Sequence, residues 1–216
     1  MGRLSGASAK AALWPLEYRG LPKRILDVAA VLMCAPFVLP IIGLLAIIIS
    51  FDGGRPFYCQ ARVGRNGRQF MCWKLRSMCH DSHAALAAYL AADPQAQREW
   101  ETTQKLKDDP RVTRIGRILR KSSLDELPQL WNVLIGDMSL VGPRPMMPDQ
   151  CVFYKGVSYY ALRPGITGMW QVYGRNETAF ADRAVFDDAY ERELSFMTDL
   201  KLVAATIKVV LRGTGY

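Results

Sequence analysis

An aspartate and a glutamate stand side by side at Asp125 and Glu126, and a run of cations precedes them at Arg111, Arg114, Arg117, Arg120 and Lys121. Neighbouring residues on a helix point about 100° apart, so these two carboxyl groups do not make a like-charged dyad sharing one proton. They can hold separate roles beside one another. Capping a helix and complementing its dipole would account for two acids on their own. The positive charge upstream exceeds what capping requires, which draws attention to an acidic ligand.

Two further segments fit that chemistry. In Gly142-Pro143-Arg144-Pro145 a guanidinium is carried on backbone stiffened from both sides, an arrangement suited to bidentate binding of phosphate or carboxylate with little entropy left to lose. In RPGITGMWQVYGRN, residues 163 to 176, Arg163, Gln171 and Arg175 stand among glycines and the aromatics Trp170 and Tyr173. That composition suits a polar ligand pocket and matches neither a dinucleotide fingerprint nor a P-loop. Cys72, Cys79, His80 and His83 are poorly spaced for a structural zinc site. An aspartate working on a diphosphate suits magnesium, which prefers oxygen ligands and leaves much of its coordination to substrate and water.

Several elements must position these groups. SSLDELPQLWNVL, residues 122 to 134, reads as a helix with Ser123 as N-cap and Glu126 closing a capping box, and with Leu124, Leu127, Leu130, Trp131 and Leu134 as its apolar stripe. Pro128 sits too deep for an ideal first turn, a local conflict. Upstream, FYCQARV and RQFMCWKLRSM flank Gly64-Arg65-Asn66-Gly67 and predict a hairpin. An alanine-rich stretch over 82 to 106 predicts helix interrupted at Pro94, and a basic helix follows over 113 to 120. At the C-terminal end Leu200, Val203, Ile207 and Val210 recur at helical spacing with Lys201 and Lys208 on another face, predicting an amphipathic helix at a membrane interface.

From Val28 to Phe51 there are 24 consecutive residues without a formal charge. As straight helix they would reach about 36 Å, enough to cross a hydrocarbon core of about 30 Å. Arginines and lysines flank both ends of the run, so the preference of cations for the cytoplasmic side asks both ends to stay on one face. Pro36 and Pro40 interrupt the middle. A helix-break-helix that dips into one leaflet meets both conditions; a single bitopic span is the alternative, because prolines are tolerated in such helices. The organisation is then a flexible or surface-lying lead over 1–20, a re-entrant membrane helix over 21–51 and a catalytic domain over 52–216 on the cytoplasmic face.

The 216 residues carry 28 Lys and Arg against 20 Asp and Glu, a net charge of +8, and are 50% apolar. A disordered polycation is excluded, and the five cysteines form no disulfide framework. An anionic phospholipid surface or nucleotide ligand explains the charge and the apolar run together, whereas nucleic-acid binding explains only the charge. A non-catalytic membrane scaffold leaves Asp125, Glu126 and Arg144 without a role, and a membrane phosphohydrolase would differ in taking water as acceptor.

The chain resembles the monotopic bacterial sugar transferases, or polyprenyl-phosphate phosphoglycosyl transferases, from about Lys23 to Arg212. KRILD at 23 to 27, WKLRSM at 73 to 78, DPRVTRIGRILRKSSLDELPQLWNVLIGDMSLVGPRP at 109 to 145, RPGITGMWQVYGRN and LSFMTDLK at 194 to 201 carry the resemblance. Many relatives have Ser-Pro at the membrane break where this chain has Ala35-Pro36, so no serine hydroxyl can bond the backbone there. The resemblance implies transfer of sugar 1-phosphate from a UDP-sugar to polyprenyl phosphate at the cytoplasmic face of a bacterial inner membrane, initiating exopolysaccharide, capsule or O-antigen synthesis. It also implies a compact α/β catalytic unit with short strands and interfacial helices, a catalytic pair at Asp125 and Glu126, and Mg2+ held at Asp125. Lys74, Arg111, Arg117, Arg120, Arg144, Arg163, Gln171 and Arg175 are then the candidate substrate-binding residues. A homodimer is one permitted assembly.

Overall fold

The computed structural model describes residues 18–51, 53–103, 106, 109–174, 178 and 180–211. Most of the expected lead, residues 1–17, lies outside the described residues. Helix α1, Leu21–Ser50, starts with a proline in its first turn and contains both Pro36 and Pro40. The backbone stays helical through both prolines, in place of the expected break. Each proline removes one amide donor, and an apolar run offers its remaining backbone groups no better partner than the helix itself.

The two ends of α1 are anchored and its middle is bare. Lys23, Asp27 and Val31 are buried near its start and Ile49 at its end, whereas Leu32, Met33, Phe37, Leu39 and Leu44 are exposed. Asp27 accepts from the Ser139 hydroxyl at 2.7 Å and the Leu140 amide at 3.1 Å. Arg24 donates to the carbonyls of Val133 and Leu134, and Arg76 donates to the carbonyl of Ile49 at the far end. Polar groups thus tie both termini to one body.

The hairpin forms as expected. Strands β1, Phe57–Val63, and β2, Gln69–Leu75, pair antiparallel from Phe57↔Leu75 to Val63↔Gln69. Asn66 at φ 60° and Gly67 at φ 75° supply the left-handed backbone that closes the turn. Helices α2, Ser82–Ala92, and α3, Pro94–Thr103, divide at Pro94. Basic helix α4, Arg114–Ser122, is capped by Thr113, whose hydroxyl accepts from the Gly116 amide at 2.9 Å. Gly116 lets α4 lie directly on the chain after β2, since a Cβ there would meet the Ser77 carbonyl at 1.9 Å.

The capping box at Ser123 does not form. Ser123 ends α4 instead, in the left-handed conformation at φ 57°, and Leu124–Glu126 make a separate 3₁₀ turn. Helix α5, Gln129–Ile135, begins only after Pro128, which resolves the conflict noted above by removing proline from a helix interior. Trp131, expected on the apolar stripe, is exposed. Beyond it, β3, Ser139–Val141, pairs in parallel with β4, Gly165–Thr167. Short helices α6, Ser158–Ala161, and α7, Met169–Tyr173, flank β4, and α8, Arg183–Glu193, leads to α9, Phe196–Leu211. Helices dominate and the strands are short, so α/β holds only in that coarse sense.

On α9 the body receives Asp199 and Leu202, both buried, with Val203 half-buried. The expected apolar stripe is split: Leu200 and Ile207 are exposed, whereas Val203 packs on the core and Val210 lines a cavity against the body. The helix is amphipathic with two apolar faces.

Candidate functional site

Asp125 lies in the 3₁₀ turn between α4 and α5, and it is only 7% exposed. Lys74, near the end of β2, reaches across: its Nζ is 2.7 Å from Glu126 Oε1 and 3.7 Å from Asp125 Oδ2. Arg144 approaches the same Glu126 Oε1 at 3.7 Å. Burial pushes the Asp125 carboxyl above the ordinary carboxylate range; Lys74 opposes the shift, the Glu126 charge adds to it, and Arg120 and Arg144 oppose it. Two adjacent acids are thus ringed by three cations.

The register of this cluster depends on a residue that sequence reasoning passed over. Asn132, 0% exposed on α5, accepts from the Trp73 amide at 3.0 Å and donates to the Met71 carbonyl at 2.8 Å. Its side-chain amide therefore takes the place of a neighbouring strand along β2, locking α5, and the turn before it, beside Lys74. Within SSLDELPQLWNVL it reads as an ordinary polar position of a helix. Its function shows only across about sixty residues of chain.

A second group centres on Trp170. The Arg183 guanidinium stacks over Trp170 at 4.1 Å and over Phe180 at 4.3 Å, while Arg144 lies 5.9 Å from the Trp170 ring. Burial, and then the Arg144 charge, brings Arg183 down to about 10, and burial also lowers Arg62 on β1, with Arg144 again contributing. Three guanidiniums thus stand in electrostatic reach of one another, and Arg144 among them approaches Glu126. Of these, Arg62 and Arg183 carried no sequence motif.

The remaining candidates scatter. Arg120 donates to the Ser77 hydroxyl at 3.0 Å and stands within electrostatic reach of Asp125. Gln171 is 8% exposed, and among the described residues neither atom of its amide has a hydrogen-bond partner. It shares with Arg144 and Glu126 a cavity of about 250 Å³. Arg111 closes a two-pronged pair with Asp109 at 2.8 and 2.7 Å and stacks over Trp100. Arg117 is exposed on α4. Arg163 donates to the Gly136 carbonyl at 2.9 Å and lines a different cleft, with Arg65 and Asp27. Arg175 lies outside the described residues.

Among the described residues no three His, Cys, Asp or Glu side chains gather as a metal-holding group. Asp125 and Glu126 nevertheless present hard oxygen donors side by side, which fits an ion that takes one or two carboxylates from protein and its other ligands from phosphate and water.

The assembly just described falls within residues 18–213, which match the model of the bacterial sugar transferase family. The chain belongs to that family. It is 47% identical over 195 residues, 89% of its length, to a UDP-galactose-lipid carrier transferase of Erwinia amylovora. It is 42% identical over 199 residues to the exopolysaccharide production protein ExoY of Sinorhizobium fredii, covering 91% of this chain and 88% of that one. An undecaprenyl-phosphate glucose phosphotransferase of Komagataeibacter xylinus is 39% identical over 206 residues, 89% of this chain and 36% of that protein. The chain spans about two fifths of the Erwinia relative's length (41%).

Proposed function

We propose that this chain transfers a hexose 1-phosphate from its UDP derivative to a polyprenyl phosphate, in two steps through Asp125. The buried Asp125 carboxylate facing Lys74 and Arg144 carries the reading. One Asp125 oxygen attacks the sugar-bearing phosphorus, the bond from that phosphorus to the bridging oxygen breaks, and UMP leaves with the bonding electrons. The product is an acyl phosphate on Asp125. A phosphate oxygen of the acceptor then attacks the same phosphorus, forming the lipid diphosphate sugar and returning the carboxylate. No proton is consumed in either step.

The surrounding cations answer an electrostatic need, because each step brings two anions together. Arg144, with Arg62 and Arg183 nearby, supports the departing nucleoside phosphate, and Lys74 holds Glu126 while keeping Asp125 ionised. Asp125 and Glu126 would hold Mg2+ with the diphosphate, and the ion supplies charge neutralisation on phosphoryl oxygens. Burial serves the nucleophile by stripping water from it.

Membrane attachment follows from α1. A straight helix of its 30 residues would extend about 45 Å. The anchoring of both ends to one body supports a re-entrant insertion from the cytoplasmic face of a bacterial inner membrane, with α9 lying in the interface. Relatives named for UDP-galactose, galactose and glucose support a UDP-hexose donor, and one named for exopolysaccharide production supports a role early in exopolysaccharide assembly.

The decisive experiment withholds the acceptor. Mass spectrometry of the protein with UDP-hexose and Mg2+ should reveal a hexose phosphate adduct on the peptide bearing Asp125, discharged into the lipid fraction when polyprenyl phosphate is added. An adduct on Glu126, or none alongside kinetics demanding a ternary complex, would replace this mechanism. Discharge to soluble sugar phosphate would make the protein a hydrolase.

A further inference from the structure

The cavity that Gln171 shares with Glu126 and Arg144 is chemically divided. Leu124, Leu127, Leu130, Ile166, Val172 and Val209 give it aliphatic walls from the 3₁₀ turn, α5, β4, α7 and α9. Several of its polar lining groups are already engaged with one another. The Thr167 and Thr206 hydroxyls lie 2.5 Å apart, Thr206 also donates to the Leu202 carbonyl at 2.7 Å, and Ser122 donates to the Ile118 carbonyl at 2.8 Å. Besides Ser123 and the Glu126 carboxylate, which Lys74 holds at 2.7 Å, the polar groups lining the cavity are the Arg144 guanidinium and the Gln171 amide, whose two atoms have no hydrogen-bond partner among the described residues.

A hexose does not suit that lining. Its hydroxyls would lie against aliphatic walls, and each polar group buried without a partner costs about 1–3 kcal/mol. A hydrocarbon chain ending in a phosphate matches both parts. Leu124 adds continuity, since it also packs on the cluster containing Ile42, Leu45 and Ile49 of the apolar helix α1.

We propose that this cavity seats the head of the acceptor: the first isoprene units lie against the aliphatic walls, and the phosphate meets Arg144 and the Gln171 amide NH2 within reach of Asp125. This rests on the phosphosugar-transfer reading above, to which it adds the place and chemistry of the second substrate. Gln171 thereby becomes an acceptor-binding residue. The cavity accommodates only the phosphate end of the lipid, so longer tails continue beyond it and the site tolerates variation in chain length.

Two measurements test the seat. A farnesyl phosphate with a diazirine on its first isoprene unit, added to full-length protein in phosphatidylglycerol nanodiscs, should crosslink within residues 124–130 or 203–210, a result that requires no catalytic intermediate. Crosslinking confined to α1, or none that excess unlabelled farnesyl phosphate suppresses, would overturn the assignment. In kinetics, Val209→Phe and Val172→Phe should each raise the KM for farnesyl phosphate and for a long polyprenyl phosphate alike, by tenfold or more, while acceptor-free adduct formation stays within twofold of wild type. Loss of adduct formation in folded protein would make the cavity a donor pocket and sink the proposal. If one variant fails to fold, the other supplies the comparison. Absence of any adduct in wild type, with the crosslink in place, would count against the two-step mechanism and leave the seat standing.

Discussion

Two buried lysine–carboxylate clusters occupy this protein and differ in how completely they are satisfied. At the foot of α1, Lys23 pairs with Asp199, which also accepts from Tyr18 at 2.8 Å and Tyr190 at 2.6 Å. Burial, followed by the charge of Asp199 and its hydrogen bond, holds both of these phenols well above their ordinary value. Beside the cavity, the described residues bring Lys74 no nearer than 3.7 Å to Asp125 and Arg144 no nearer than 3.7 Å to Glu126. The first cluster has closed on itself and serves as a joint between α1 and α9. The second ties Lys74 to Glu126 at 2.7 Å and holds the Asp125 carboxyl 3.7 Å from the same ammonium, a looser contact that a charged substrate can complete.

Exchanging members between the clusters should separate activity from stability. The largest effect is expected for Asp125→Asn, which should abolish the adduct and cut turnover by at least about a thousandfold, about 4 kcal/mol of barrier. Its melting temperature at pH 7 should be no lower than wild type, because the substitution removes a buried charge. Lys23→Met should behave in the opposite way. It strands Asp199 without its cation and should cost about 3–5 kcal/mol of stability by chemical denaturation, while the protein that remains folded still forms adduct.

Arg144→Ala should fall between these on activity, lowering the rate of adduct formation by about a hundredfold, as expected for loss of one donor to a developing oxyanion. Vesicle sedimentation should be unchanged, since α1 does not depend on it. A smaller effect concerns pH. Burial raises Asp125, so folding favours its protonated form: this contribution to stability is complete below the unfolded value and is lost as pH rises through the folded one. The proposed attack needs the ionised form. The acid limb of adduct formation should therefore lie above the usual carboxylate range. Lys74 is the largest influence opposing the rise, so Lys74→Met should shift that limb to still higher pH, with Lys74→Arg restoring much of it in a single-turnover pH profile.

Local chemistry made part of this legible beforehand. The hairpin could be read from Asn66-Gly67, the division of α2 from α3 from Pro94, and Asp125, Glu126 and Arg144 as one candidate site from acids and guanidiniums in short, stiff segments. Ser123 misled because serine three residues before glutamate fits a helix start as well as the end of the preceding helix, and Pro128 decided between them. Trp131 fell on an apolar stripe by spacing, yet a seven-residue helix has too few turns for one stripe to govern its burial. Asn132, Arg62 and Arg183 were invisible for a different reason. Their partners lie on β2, or around Trp170, and no spacing along the chain encodes such pairings.

One crossing of the backbone bears on how this protein can diversify. A Cβ at Gly142 would meet the Arg163 carbonyl at 2.3 Å, one at Gly165 the Gly142 nitrogen at 2.1 Å, and one at Gly168 the Gly142 carbonyl at 2.0 Å. Main chain touches main chain here, so the approach of Pro143-Arg144-Pro145 to β4 and α7 is set without the help of side chains. A scan of all substitutions should find these three glycines intolerant while neighbouring side chains accept exchange. Variation around the pocket can then alter which molecules are accepted without disturbing the placement of Arg144, leaving selectivity free to drift while the proposed chemical step stays fixed.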